Sequence, residues 1–299
     1  MSQSHSRFFS VGLLIIFWIL DLGAGFFRNR SDGLLHVFFC DVGQGDAIYI
    51  KMPDGTDFLI DGGPNSRVLE CLGEHMAFWD RRIEVVFLTH PQKDHYGGLI
   101  SVAERYTVKS FIHPGIEVKD ANFQTLISLL GQSKTSVRTL GAGSTVRHAD
   151  PTGREIKLSI LSPESEAVQG YLEGHAAGTD LNNFSLVMHL RYGQFDAIFT
   201  GDAEGEVLVS AFEKLPVMSD GLEVYKVGHH GSADEQNDTI ASVRRPGLAV
   251  ITVGKNNSYG HPHESVIEQF KNSGANVLRT DQNGTVEVIT DGKRWKVLN

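Results

Sequence analysis

Four short stretches of this chain concentrate groups that bind metal ions or move protons. The first is Thr89-His90-Pro91-Gln92-Lys93-Asp94-His95, where imidazoles and a carboxylate share one tight loop. Imidazole and carboxylate together suit Zn²⁺ or Mn²⁺, and no cysteine contributes. The second is Thr200-Gly201-Asp202, a carboxylate at the end of an apolar run. Such a group is costly to desolvate unless a positive charge meets it, as a bridged metal would. Taken alone, Asp202 reads better as the cap of a following helix. The third is Lys226-Val227-Gly228-His229-His230-Gly231-Ser232. Either histidine could ligate metal, hold an anionic oxygen or act as a general acid, while Lys226 and Ser232 suit an anionic substrate group such as phosphate. The fourth is Tyr259-Gly260-His261-Pro262-His263-Glu264, in which His261 is the better ligand by position and His263 a supporting or exposed group. Pro262 fits the first turn of a helix, which would put His263 just inside it.

These clusters share one placement, because each follows an apolar segment that reads as a buried strand. Ile83 to Leu88 leads into His90, Phe195 to Phe199 into Asp202, Glu223 to Val227 into the His229-His230 doublet, and Leu248 to Val253 toward His261. Ends of neighbouring strands in one sheet lie side by side, so the groups can converge. Further strands are expected at Leu34 to Cys40, Asp46 to Met52, Phe58 to Ile60, Glu155 to Leu161, Phe184 to Leu190, Val277 to Arg279, Val286 to Thr290 and Trp295 to Leu298. Helices are expected at Ser66 to Ala77 and Glu204 to Leu215. Gly141 to Gly153 and Glu164 to Asp180 read as long polar loops.

At 299 residues, 41% hydrophobic, the chain is long enough for a full core. Its formal net charge of -9 argues against a broad basic surface, so no stable binding of duplex DNA is expected. Cys40 and Cys71 read as two buried thiols, with a single disulfide as the alternative in an exported chain. Residues 1–30 carry a polar start, an apolar run from Phe8 to Leu20, and small residues at Gly23, Ala24 and Gly25. That pattern is expected of a signal peptide or an N-terminal membrane anchor, and it places the remaining domain, 31–299, outside the cytoplasm.

In order, the chain reads DVGQGDA (Asp41 to Ala47), LIDGG (Leu59 to Gly63), LTHPQKDHYGG (Leu88 to Gly98), NNFSLV (Asn182 to Val187), TGDAE (Thr200 to Glu204), KVGHHGS (Lys226 to Ser232) and YGHPH (Tyr259 to His263). This series resembles the metallo-β-lactamase superfamily, closest to the C-terminal hydrolase domain of ComEC-type competence proteins, here free-standing. The resemblance covers roughly residue 34 to the end. It implies an α/β (α+β) fold, a four-layer αββα sandwich, and a metal-dependent hydrolase. By this resemblance His90, Asp94, His95, Asp202 and His261 bind metal. Asp94 also orients the attacking water, and His229 or His230 contacts the phosphate or protonates the leaving group. Asp61 orients a ligand histidine. Gln92 stands where the superfamily usually has His, and Asn183 lies in the region of another missing His. One ion is therefore expected, and a second position lacks strong ligands. The implied substrate is a phosphodiester, single-stranded DNA or something smaller. Lactone, thioester or lactam hydrolysis and a non-catalytic binding module are the competing readings.

Overall fold

The computed structural model describes residues 31–175, 179–215, 222–233, 241–242 and 244–298. The expected signal peptide or anchor lies outside these residues. Among the described residues, no helix is long and apolar enough to cross a membrane.

Two sheets pack face to face, and the alternation of side chains along their strands explains why. The first has the order β15-β14-β1-β2-β3-β4-β5-β6. Its members are β1 (Leu35–Phe39), β2 (Ile48–Lys51), β3 (Asp57–Ile60), β4 (Arg82–Phe87), β5 (Thr107–His113), β6 (Ser136–Thr139), β14 (Val286–Thr290) and β15 (Trp295–Leu298). The second runs β13-β12-β11-β10-β9-β8-β7. It comprises β7 (Thr145–Ala149), β8 (Glu155–Ser162), β9 (Val187–Tyr192), β10 (Phe195–Phe199), β11 (Val224–Lys226), β12 (Leu248–Ile251) and β13 (Asn276–Arg279). Successive strand residues point to opposite faces. Val37 and Phe39, Ile48 and Ile50, Phe58 and Ile60 therefore meet Met188, Leu190, Phe195, Phe199, Val224 and Val250 in one core between the sheets.

The intervening residues face outward onto helices. Phe38, Tyr49, Leu59, Val86 and Phe111 pack with Leu72, Tyr96, Leu99, Val102 and Phe123. Those belong to α1 (Val68–His75), α2 (Lys93–Arg105) and α3 (Ala121–Gln132). On the other side Ile198, Tyr225, Ala249 and Ile251 meet Leu208, Ala211, Val266 and Phe270. Those lie on α5 (Gly205–Glu213) and α6 (Glu264–Asn272). The result is the four-layer αββα sandwich. With both faces of each sheet covered, the central strands read as continuous apolar runs. Truncating a side chain such as Phe199 would cost about 3–5 kcal/mol.

The structure departs from the sequence reading at several elements. Phe184 belongs to a short 3-10 turn, Leu181–Phe184, and β9 begins only at Val187. The stretch read as the loop Gly141 to Gly153 contains β7, and the stretch Glu164 to Asp180 contains helix α4 (Ser165–Leu172). A short helix α7 (Thr280–Asn283) precedes β14. His263 is the N-cap of α6 rather than a residue inside it, so Pro262 lies ahead of the helix. Cys40 and Cys71 form a disulfide, with Cα atoms 5.9 Å apart, instead of standing as two thiols. It ties the end of β1 to α1, directly before the loop that begins at Asp41.

Candidate metal centre

Parallel pairing of β10, β11 and β12 sets their C-terminal ends side by side. The parallel pair β3 and β4 does the same for the loops carrying Asp61 and His90. All of these ends meet at one edge of the sandwich. Backbone lacing fixes their relative positions: Asp46 N donates to Asp94 O at 3.2 Å, Gly62 N to His95 O at 2.7 Å, and Gly98 N to Gly63 O at 2.8 Å. Glycine is required for this approach, because a Cβ at Gly98 would lie 2.0 Å from the Gly62 carbonyl oxygen. The same loop is why His95 sits at the start of α2 with no freedom to swing away.

Asp94, His95, Asp202 and His230 each bring one ligand atom within 4.8 Å of the others. His95 Nε2 lies 3.1 Å from Asp202 Oδ2, and His230 Nε2 lies 3.4 Å from the same oxygen and 3.5 Å from Asp94 Oδ2. His90 borders this group, its ring centroid 4.2 Å from that of His95. The Nε2 atoms of His90, His95 and His230, and Oδ1 of Asp202, are buried without a hydrogen-bond partner among the described residues. Buried polar atoms are rarely left so, and the His95 and His230 Nε2 atoms that meet at Asp202 Oδ2 call for a cation, while Asp202 Oδ1 turns to Lys226 Nζ at 3.7 Å. The opposite ring atoms are occupied. His95 Nδ1 donates to Asp61 Oδ2 at 2.8 Å, and His230 Nδ1 to the Thr252 carbonyl oxygen at 2.8 Å. This fixes each ring and turns its Nε2 lone pair inward, the usual arrangement for a metal-ligating histidine. The donor set of two carboxylates and two or three imidazoles therefore fits a divalent ion.

The electrostatics point the same way. Burial pulls the His95 and His230 imidazoles down, but the Asp202 carboxylate outweighs it and holds both well above their ordinary values. Burial raises Asp202, yet His230 and His95 keep it well below the carboxylate range. A site that attracts protons this strongly attracts a dication by the same field. His90 behaves differently: burial, then the neighbouring His95 charge, push it down to about 3, so it remains a neutral donor.

Asp61 supports this arrangement from behind. It accepts from Thr89 N at 2.8 Å and Thr89 Oγ1 at 2.7 Å besides His95, and it holds a left-handed backbone at φ 58. His229 and His230 are also left-handed, at φ 42 and 53. That uncommon pair of conformations sends the two rings different ways. His230 goes to the metal cluster. His229 faces outward, where its Nδ1 donates to Glu204 Oε1 at 2.7 Å, and Ser232 Oγ donates to the same oxygen. The capping role open to Asp202 is not used; Glu204 is the N-cap of α5, without a side-chain capping bond, and Asp202 turns to the cluster.

Other residues land elsewhere than the sequence placed them. His261 lies outside the four-residue cluster and packs edge-on against His229, centroids 5.4 Å apart. Lys226 makes no outward contact suited to substrate: it is 0% exposed, with Nζ 2.6 Å from Asp46 Oδ2 and 2.7 Å from the Gly201 carbonyl oxygen. Asn183 is exposed, while its neighbour Asn182 is buried at the site. Gln92 Nε2 donates to Asn182 Oδ1 at 2.5 Å, so this glutamine is tied to a neutral amide beside His90. His263 lies apart, its Nδ1 3.0 Å from Ser265 Oγ. Sequence reasoning missed Asp46, Ser185, Glu204 and Thr252. Ser185 Oγ accepts from Asp202 N at 3.2 Å and lies 3.3 Å from His90 Nδ1. Asp46, Ser185 and Glu204 lie inside the DVGQGDA, NNFSLV and TGDAE stretches, whereas Thr252 carries no such signal.

Residues 40–255 match the family model of the metallo-beta-lactamase superfamily, and the chain belongs to that superfamily. Its homologues are ComEC-type competence proteins. It is 28% identical to ComE operon protein 3 of Bacillus subtilis over 83% of this chain and 32% of that protein. It is 30% identical to competence protein ComA of Neisseria gonorrhoeae over 90% of this chain and 35% of that protein. The chain thus spans about a third of the length of these relatives. The crystal structure of the metallo-beta-lactamase fold protein YhfI from Bacillus subtilis shares the fold, with a TM-score of 0.52 at 11% identity over 82% of this chain and 95% of that one. The chain therefore carries the metallo-β-lactamase fold, with a candidate divalent-metal site among its described residues.

Proposed function

We propose that this protein is a metal-dependent phosphodiesterase that cleaves single-stranded DNA or a smaller phosphodiester outside the cytoplasm. The observation that carries the reading is the pairing of two unlike groups: the Asp94, His95, Asp202, His230 cluster, and the His229–Glu204 pair beside it. A divalent ion held by the cluster, Zn²⁺ or Mn²⁺, supplies Lewis acidity and a water acidified toward neutral pH. Asp94, half-buried at 31% exposure, is the ligand open enough to orient that water. His229 supplies a proton to the leaving oxygen. Burial pulls its imidazole down, but the bond to Glu204 and the Asp202 charge hold it above its ordinary value. His261 beside it is pushed the other way, by burial and then by the His229 and His230 charges. Neighbouring titratable groups driven apart in this fashion mark an acid and its counterpart. The competence proteins among its relatives favour a DNA strand as substrate, whereas the net charge of -9 weighs against long polyanions and favours a smaller phosphodiester.

Gln92 and Asn182 leave the His90 side with neutral oxygen donors only, so one ion is held firmly and a second weakly. The disulfide supports an oxidising compartment, and with the apolar run from Phe8 to Leu20 it supports export, with membrane association through residues 1–30.

Metal analysis of the purified protein, with assays on bis-p-nitrophenyl phosphate, single-stranded DNA, a thioester and nitrocefin, tests this. Metal-dependent cleavage of the phosphodiesters, lost in Asp94→Ala with the fold intact, is the expected result. Turnover of the thioester or nitrocefin alone, or no metal and no turnover, would overturn it.

A further inference from the structure

The His229 ring is the inner end of a line of rings that reaches solvent. His261 packs against His229 with centroids 5.4 Å apart, and Tyr259 stacks on His261 at 6.0 Å and 30°. Tyr259 is 70% exposed, the most exposed large apolar or aromatic side chain among the described residues. An exposed ring by itself is ordinary. This one is held in place by its loop. Asn257 Oδ1 accepts from Tyr259 N and from His261 N, each at 3.1 Å, and Asn257 Nδ2 donates to the carbonyl oxygens of Gly254 (3.1 Å) and His261 (2.6 Å). Gly254 is bolted in turn to the loop between β1 and β2, its N donating to Gln44 Oε1 at 3.1 Å. A flat aromatic face fixed before a ligand arrives loses little entropy on stacking.

We infer that Tyr259 is a nucleobase platform at the mouth of the site, so that the preferred substrate is a phosphodiester flanked by an unpaired base. The inference rests on the phosphodiesterase reading and narrows it. A base stacked on Tyr259 would keep its own nucleotide beside His261 and offer the adjoining phosphodiester to His229 and the metal cluster. A base in duplex has both faces covered by its neighbours and cannot stack here without being flipped out. Stacking accepts any base, so strand cleavage guided by this ring is indifferent to sequence.

Cleavage kinetics of the metal-loaded full chain on a short thymidine oligonucleotide and on an abasic strand of equal length test the inference. The wild type should show a KM about tenfold to a hundredfold lower for the thymidine strand. Tyr259→Ala should erase that preference, and Tyr259→Phe and Tyr259→Trp should keep it. Fluorescence of Tyr259→Trp, corrected for the wild-type signal, should be quenched by the thymidine strand and not by the abasic one. Cleavage of both strands with equal KM in the wild type, or a preference that survives Tyr259→Ala, overturns the inference and leaves the phosphodiesterase reading standing. Failure to cleave either strand or bis-p-nitrophenyl phosphate overturns both.

Discussion

Lys226 Nζ lies 2.6 Å from Asp46 Oδ2, and the two side chains are 0% and 1% exposed. The pair joins the loop after β1 to the end of β11, on opposite sheets. Lys226 holds Asp46 below the carboxylate range against the upward pull of burial. Asp46 in turn accepts from Thr252 Oγ1 and lies 3.4 Å from His230 Nδ1. Breaking a buried pair strands one charge, so Lys226→Met should destabilise the fold by about 3–5 kcal/mol in urea denaturation. The double variant Lys226→Met with Asp46→Asn should recover much of that loss, because no charge is left buried alone. A Lys226→Met protein as stable as wild type would show that the ammonium carries no such load.

In the proposed phosphodiesterase, His229 and Glu204 bear on the leaving group rather than on attack. Removing a general acid matters most when the departing oxygen is a poor leaving group. His229→Ala should therefore lower turnover of an alkoxide-releasing diester by about 10²–10⁴-fold. Its effect on bis-p-nitrophenyl phosphate, whose phenolate leaves without a proton, should be far smaller. Equal losses on both substrates in steady-state kinetics would assign His229 to binding or to structure instead.

How far the sequence disclosed this arrangement depended on burial. Strands covered on both faces, such as β4 (RIEVVF) and β10 (FDAIF), announce themselves by composition. The edge strand β6 (SVRT) is exposed along its whole length, and α4 buries no residue, so neither carries an apolar period to read. At the site, His90, Asp94, His95 and Asp202 follow strands or helix starts whose position is legible. The choice between His229, His230 and His261 was not, because two successive left-handed residues decide it and ligand spacing does not encode them. Asn182 and Asn183 exchange roles for a similar reason: they are adjacent in a single 3-10 turn, where pattern gives no phase. Asp46 escaped notice because its partner is 180 positions away, at Lys226.

The Cys40–Cys71 bond closes a loop with a sequence separation of 31. Chain-entropy reasoning gives such a crosslink about 3–4 kcal/mol of stability. The double variant Cys40→Ala, Cys71→Ala should therefore unfold at lower denaturant, and reductant should lower the wild-type midpoint but not that of the variant. A wild-type protein whose midpoint ignores reductant, with two titratable thiols when unfolded, would show that the bond does not form.

Asp57 opens β3 at the opposite end from Asp61 and is 3% exposed. Burial, with the nearby charges of Asp80 and Glu84, raises its carboxyl to about 7, although the Tyr49 hydroxyl donates to it at 2.5 Å and pulls the other way. The folded state therefore prefers this group protonated. Its contribution to stability is complete below the unfolded value near 4 and is lost as pH rises through 7, a change on the order of 4 kcal/mol. Asparagine keeps the shape and the acceptor for Tyr49 but cannot ionise. Asp57→Asn should thus match wild type near pH 4 and exceed it in stability at pH 8, with the gap opening between those values. Urea midpoints of the two proteins at pH 4, 6 and 8 give the comparison. Parallel curves across that range would mean that Asp57 ionises as freely in the folded chain as in the unfolded one.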